Sequence, residues 1–71
     1  MNLDGIRQAL RRRPFSPFSM MLADGRALDV RHPEFVAVGP RLTTVIAEDG
    51  SWSVVEPLLI VSLDYAGRKP P

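Results

Sequence analysis

Seventy-one residues, 45% of them hydrophobic and 24% charged, make one small domain, and a chain this short buries only about 60% of its unfolded surface. No cysteine and a single histidine exclude a disulfide framework and a zinc site of soft ligands, which leaves oligomerisation as the way to reinforce so small a core. A net charge of +1 excludes a polyelectrolyte arm or an acidic tail as the main device.

Residues 3–13 read as a short helix. Leu3, Ile6 and Leu10 form one narrow apolar stripe, Asn2 is placed to cap the start, and Asp4 suits the positive first turn. Arg11, Arg12 and Arg13 meet the negative helix end, and Pro14 stops the helix. Such a short helix is marginal alone, so it must dock on the rest of the domain. Pro14 to Phe18 is an extended connector in which Phe15 and Phe18 serve as anchors.

From Phe18 the pattern has period two. Phe18, Met20 and Leu22 face one side; Leu28 and Val30 follow after Asp24-Gly25. A two-residue turn would set Met20 against Asp29 and Phe18 against Arg31. A three-residue loop, Ala23-Asp24-Gly25, sets Met20 against Leu28 and Phe18 against Val30, so the second register is expected, with Gly25 left-handed in a bulged turn. Met20 is then core and Met21 lies on the outer face as an interface candidate.

Pro33 interrupts the pattern, and Phe35 to Val38 make a short strand ended by Gly39-Pro40. Thr43 to Ala47 and Trp52 to Val55 flank a second hairpin signal, Glu48-Asp49-Gly50-Ser51; either loop length places apolar residues together, so its register stays open. Glu56-Pro57 predicts one tight helical turn, and Leu59 to Leu63 a last strand. No sequence repeat is visible. Residues 67–71 have nothing to bury and read as a loose tail after a single domain of residues 1–66. Five or six short strands with tight turns escape raw edges by curling, so the expected fold is mainly β (α+β): an N-terminal helix and a small, strongly bent antiparallel SH3-like or Sm-like β-barrel.

The string Arg13-Pro14-Phe15-x-Pro17-Phe18, then Leu22-x-Asp24-Gly25-Arg26, then Val30-x-His32-Pro33-Glu34-Phe35, resembles a family of short bacterial proteins that carries no activity to transfer. That resemblance spans residues 3–63. A helix followed by Phe18-x-Met20-x-Leu22-x-Asp24-Gly25-Arg26 also resembles the opening of Sm-like (Hfq-like) proteins, bent five-stranded barrels that assemble into rings and bind RNA. Val30 stands where Sm strands bend at a glycine. Glu56-Pro57 falls where Hfq-like chains carry a lysine–histidine pair that contacts RNA, and neither residue replaces it. The resemblance implies a small barrel more than RNA binding.

Candidate chemistry is sparse. His32 lacks a second soft ligand for a metal and a partner for base catalysis, so it reads as a turn residue whose ring bonds the backbone beside Pro33. Asp24-Gly25 and Asp49-Gly50 lack the alternating carboxylates of a calcium loop and read as hairpin turns. No nucleophile and base can be paired. The reading is therefore of no enzyme, no catalytic or metal-binding residue, no cofactor and no evident small-molecule substrate. Eight of nine basic residues are arginine, and Arg7, Arg11, Arg12, Arg13 and Arg31 are the candidates for nucleic-acid or partner contact, with Arg26 and Arg41 beside them. The low net charge favours helix-end and acid-pairing roles over RNA. Trp52 and Tyr65 can stack on bases, but a lone Trp in an alternating strand is more often an anchor. Val36, Val38 and the Leu59–Leu63 run are too apolar for free edges, so a homo-oligomer is expected, with Met21, Phe35, Trp52 and Ile60 as interface candidates. No apolar run reaches the roughly 18 residues of a membrane span, and the start lacks the pattern of a secretory signal, so the chain is expected in the cytoplasm.

Overall fold

The computed structural model describes residues 2–65; the expected tail, residues 67–71, lies outside them. Helix α1 spans Leu3–Arg11, and Asn2 caps it by accepting a hydrogen bond from the Asp4 N–H at 2.6 Å. The helix is two residues shorter than its charge pattern suggests. Arg13 precedes a proline and is disfavoured in helical geometry, and Arg12 already leaves it at ψ 135°. Arg13 Nη1 instead donates to the carbonyls of Leu10 and Arg12, each at 2.9 Å, and so satisfies the helix end directly.

Six strands follow: β1 Phe18–Leu22, β2 Ala27–Val30, β3 Val36–Val38, β4 Thr43–Ile46, β5 Trp52–Val55 and β6 Ile60–Tyr65. One-turn 3₁₀ helices at Pro33–Phe35 and Pro57–Leu59 precede β3 and β6. The first takes Phe35 out of the expected strand, because Pro33 opens a helical turn readily and donates to no ladder. The strands form two three-stranded antiparallel sheets, ordered β2-β1-β6 and β3-β4-β5, and no ladder joins them among the described residues.

Both hairpins use a three-residue loop. In the first, Met20 pairs with Leu28 and Phe18 with Val30, and Gly25 has φ +94°. In the second, Ile46 pairs with Trp52 and Val45 with Ser53, and Gly50 has φ +91°. The two turns match bond for bond. Gly25 N–H donates to Leu22 and Gly50 N–H to Ala47, each at 3.0 Å, while Asp24 and Asp49 accept from the N–H of Arg26 and Ser51, each at 3.0 Å.

This likeness extends to the whole architecture. Each half of the chain runs hairpin, 3₁₀ turn, strand. Each sheet combines the hairpin of one half with the third strand of the other, β6 beside β1 and β3 beside β4. The absence of a visible sequence repeat thus hides a structural one, because turns and alternation specify the unit with few identical residues.

Phe18, Met20 and Leu22 of β1, Val30, Val36, Val45, Val55 and Ile60 turn inward, and α1 adds Ile6 and Ala9. The helix packs on β3, and Arg12 lies 5.3 Å over the Tyr65 ring of β6. Tyr65 is 5.7 Å from Phe18, whose ring is 6.0 Å from Phe15, so the two phenylalanines anchor the helix exit as expected. One polar atom is out of place: Thr43 Oγ1 is fully buried without a partner, at the position where the first half carries Phe18. An unsatisfied buried hydroxyl costs about 1–3 kcal/mol. Thr43→Val keeps the shape and removes it, and the denaturation midpoint should rise by the equivalent of about 1 kcal/mol.

Candidate interaction surface

Most of the arginines are engaged by a neighbouring group. Arg7 bonds Asp4 at 3.2 Å and the Gly39 carbonyl at 3.3 Å; Arg13 holds the helix end; Arg12 covers Tyr65. Arg26 pairs with Asp24 at 2.8 Å, and Arg31 lies 3.6 Å from Glu48. Only Arg11 and Arg41 lack such a partner among the described residues. Two grooves among the described residues hold arginines together with carboxylates. One of about 500 Å³ is lined by Arg31, His32, Ser19, Asp29 and Glu48, and a wider one of about 690 Å³ by Arg7 and Arg41 with Asp4 and Glu56. A nucleic-acid phosphate entering either would meet acid as well as base.

His32 occupies the cap position of the first 3₁₀ turn but makes no capping bond; its ring instead stands edge-on to Phe35 at 5.4 Å. The half-buried Phe35 is thereby engaged within its own chain. In the same groove Ser19 Oγ donates to Asp29 at 2.7 Å, whereas the His32 ring packs on Phe35, so no relay from base to hydroxyl is built. No group of three His, Asp or Glu side chains able to hold a metal occurs among the described residues, and no helix there is long and apolar enough to cross a membrane.

The interface candidates separate. Ile60 is only 2% exposed and belongs to the core, so it presents no contact surface. The Leu59–Leu63 run divides: Leu59 and Val61 are 43% and 60% exposed, whereas the other apolar residues turn to the core. Ile60 and Leu63 both pack inward, because a register shift opposite Met21 and Leu22 leaves Val61 as the extra residue. Val36 likewise faces the core. Met21 is half-buried on the outer face of its sheet, between Ala27 and Ser62.

Trp52 is different. It is 71% exposed on the outer face of β5, beside Val54 at 58% and opposite Ile46 at 43%. The structural repeat supplies an internal comparison. With an offset of 25 residues that aligns the two turns, the outer positions of β2 are Ala27 and Asp29, and the same positions of β5 are Trp52 and Val54. Val54 and Ile46 were not singled out by sequence. Their facing follows from alternation once the loop length is known, and the loop length was the undetermined quantity.

The four edge strands confirm the contrast. β2 carries Asp29 between Arg26 and Arg31; β3 has only three residues and lies against α1; β6 has Asp64 and the register shift. These are the usual guards of a free edge. β5, Trp-Ser-Val-Val, has no charge, no proline and no bulge. No family model matches the chain, and no similar curated protein or solved structure is found.

Proposed function

We propose that this protein is a non-enzymatic module that self-associates through the edge and outer face of β5. Its scaffold is read as a small SH3-like or Sm-like barrel left open between β2 and the β4–β5 hairpin, where a groove of about 270 Å³ separates them. The observation that carries the reading is the substitution of Trp52 and Val54 for Ala27 and Asp29 at equivalent outer positions. One half of the chain has a solvent face, and the other half has the same strand rebuilt to be covered. Burying the Trp52 side chain removes on the order of 150–250 Å² of largely apolar surface, worth several kcal/mol across two copies.

The test transplants one edge onto the other. Trp52→Ala with Val54→Asp gives β5 the outer residues of β2. The native mass of the parent should exceed one chain at high micromolar concentration, while the double variant should be monomeric and still cooperatively folded. A parent that stays monomeric there would sink the proposal. The alternative, an Sm-like RNA-binding ring with altered contacts, has Arg11 and Arg41 as its free cations among the described residues; tight parent binding to RNA, falling steeply with salt, would revive it.

A further inference from the structure

The partner and its geometry follow from the hydrogen-bond parity of β5. Ala47 N–H donates to the Ser51 carbonyl at 2.8 Å, so Ala47/Ser51 is a hydrogen-bonded pair, and by alternation so are Val45/Ser53 and Thr43/Val55. The backbone groups of Ser51, Ser53 and Val55 therefore point to β4. Those of Trp52 and Val54 point to the open edge, without a ladder partner in the sheet order β3-β4-β5. We infer that β5 pairs antiparallel with β5 of a second copy about a two-fold axis through Ser53, which joins the two three-stranded sheets into one of six strands. This rests on the proposed self-association and specifies a closed pair rather than an open-ended ring contact.

Three registers keep outer faces together and use the free backbone groups. Placing Trp52 on its own copy brings Glu48 opposite Glu56 of the partner subunit, a like-charge encounter. Placing Val54 on its own copy sets the Glu56 carboxylate against the partner's Trp52 indole. With Ser53 on the axis, Trp52 meets the partner's Val54, both exchange their backbone bonds, and Glu56 falls opposite Gly50, which has no side chain. That register alone matches apolar to apolar and avoids opposed carboxylates. The two Ser53 hydroxyls then face each other across the axis, where they can bond.

Pairing the two β5 edges brings together Trp52 and Val54 of both copies, the most exposed apolar side chains of that strand, at 71% and 58%. The net charge of +1 adds little repulsion between copies. Association in the micromolar range is expected from so small a contact.

The chain has no cysteine, so one introduced thiol reports the axis cleanly. Opposed residues of a non-hydrogen-bonded pair lie about 4.5 Å apart at Cα, within the span of a disulfide. Ser53→Cys should form a covalent dimer under mild oxidation. Ser51→Cys, more exposed but two residues off the axis, should crosslink far more slowly. A Ser51→Cys rate equal to or above that of Ser53→Cys would overturn the register. The unmodified protein gives a second readout: the Trp52 and Val54 amides should exchange about tenfold more slowly where nine-tenths of the chains are paired. If native mass shows association while those two amides stay fast at every concentration, the pairing is wrong and self-association stands. If the native mass remains that of one chain, both fail.

Discussion

Ile6→Ala should lower the melting temperature by on the order of 10–30 °C, the largest loss expected of a single conservative change in this chain. Ile6 is fully buried and is, with Ala9, the part of α1 that enters the core. Alanine is the better helix former, so local propensity moves slightly in favour of the variant. The whole loss is therefore packing: about 2–5 kcal/mol for an isoleucine cut to alanine where neighbours cannot collapse into the space. A domain of this length has roughly 4–11 kcal/mol in total. Ile6→Val removes one methylene and should cost only about 0.5–1.5 kcal/mol. Thermal unfolding of the two variants beside the parent checks this. Equal melting of all three would mean that the helix docks without contributing to the core.

The first hairpin was legible in the sequence because its two faces differ. Slipping the register by one residue would have set Met20 against Asp29, so the hydrophobic pattern chose the loop length, and the structure has that register. The second hairpin resisted the same reasoning because both its faces are apolar: Val45 and Val55 go inward, while Ile46, Trp52 and Val54 go outward. The ambiguity and the candidate surface have one cause. A strand that is polar on its outer face declares its register, and a strand with a second face to be covered does not.

Ile60 departs from its expected place for a different reason. Period-two reading cannot send both Ile60 and Leu63 inward, since they differ by an odd number of residues. The register shift between Met21 and Leu22 changes the face midway, and nothing in Ile60-Val61-Ser62-Leu63 announces it. The helix ends two residues before the arginine run does, because the residue before Pro14 is kept out of helical geometry, and Arg13 reaches the helix end through its side chain. That no repeat was seen reflects how little sequence a hairpin of this type requires. Asp-Gly at the turn and alternation in the strands suffice.

Those turns carry the second large effect. Gly25 and Gly50 both have φ above +90°, and a Cβ built at either meets nothing within 4 Å. Space is therefore no obstacle, and any loss on substitution is backbone strain alone. Gly25→Val and Gly50→Val should each cost roughly 1–3 kcal/mol, because a β-branched residue resists that region. Gly25→Asn and Gly50→Asn should lose clearly less, since asparagine tolerates positive φ. The acids beside them add a pH signature. The Arg26 backbone N–H holds the Asp24 carboxyl below the ordinary 3.8, opposed by desolvation and helped by the Arg26 guanidinium. The Ser51 hydroxyl and backbone N–H do the same for Asp49. A depressed carboxyl contributes stability that is present above 3.8 and is lost as pH falls below it through the folded value. Asp24→Asn and Asp49→Asn should each flatten the fall in stability below that pH while leaving the turn's shape. The comparison that decides is between valine and asparagine at one site. If Gly25→Val and Gly25→Asn melt together, the loss comes from something other than positive φ, and the bulged turn does not set the hairpin register.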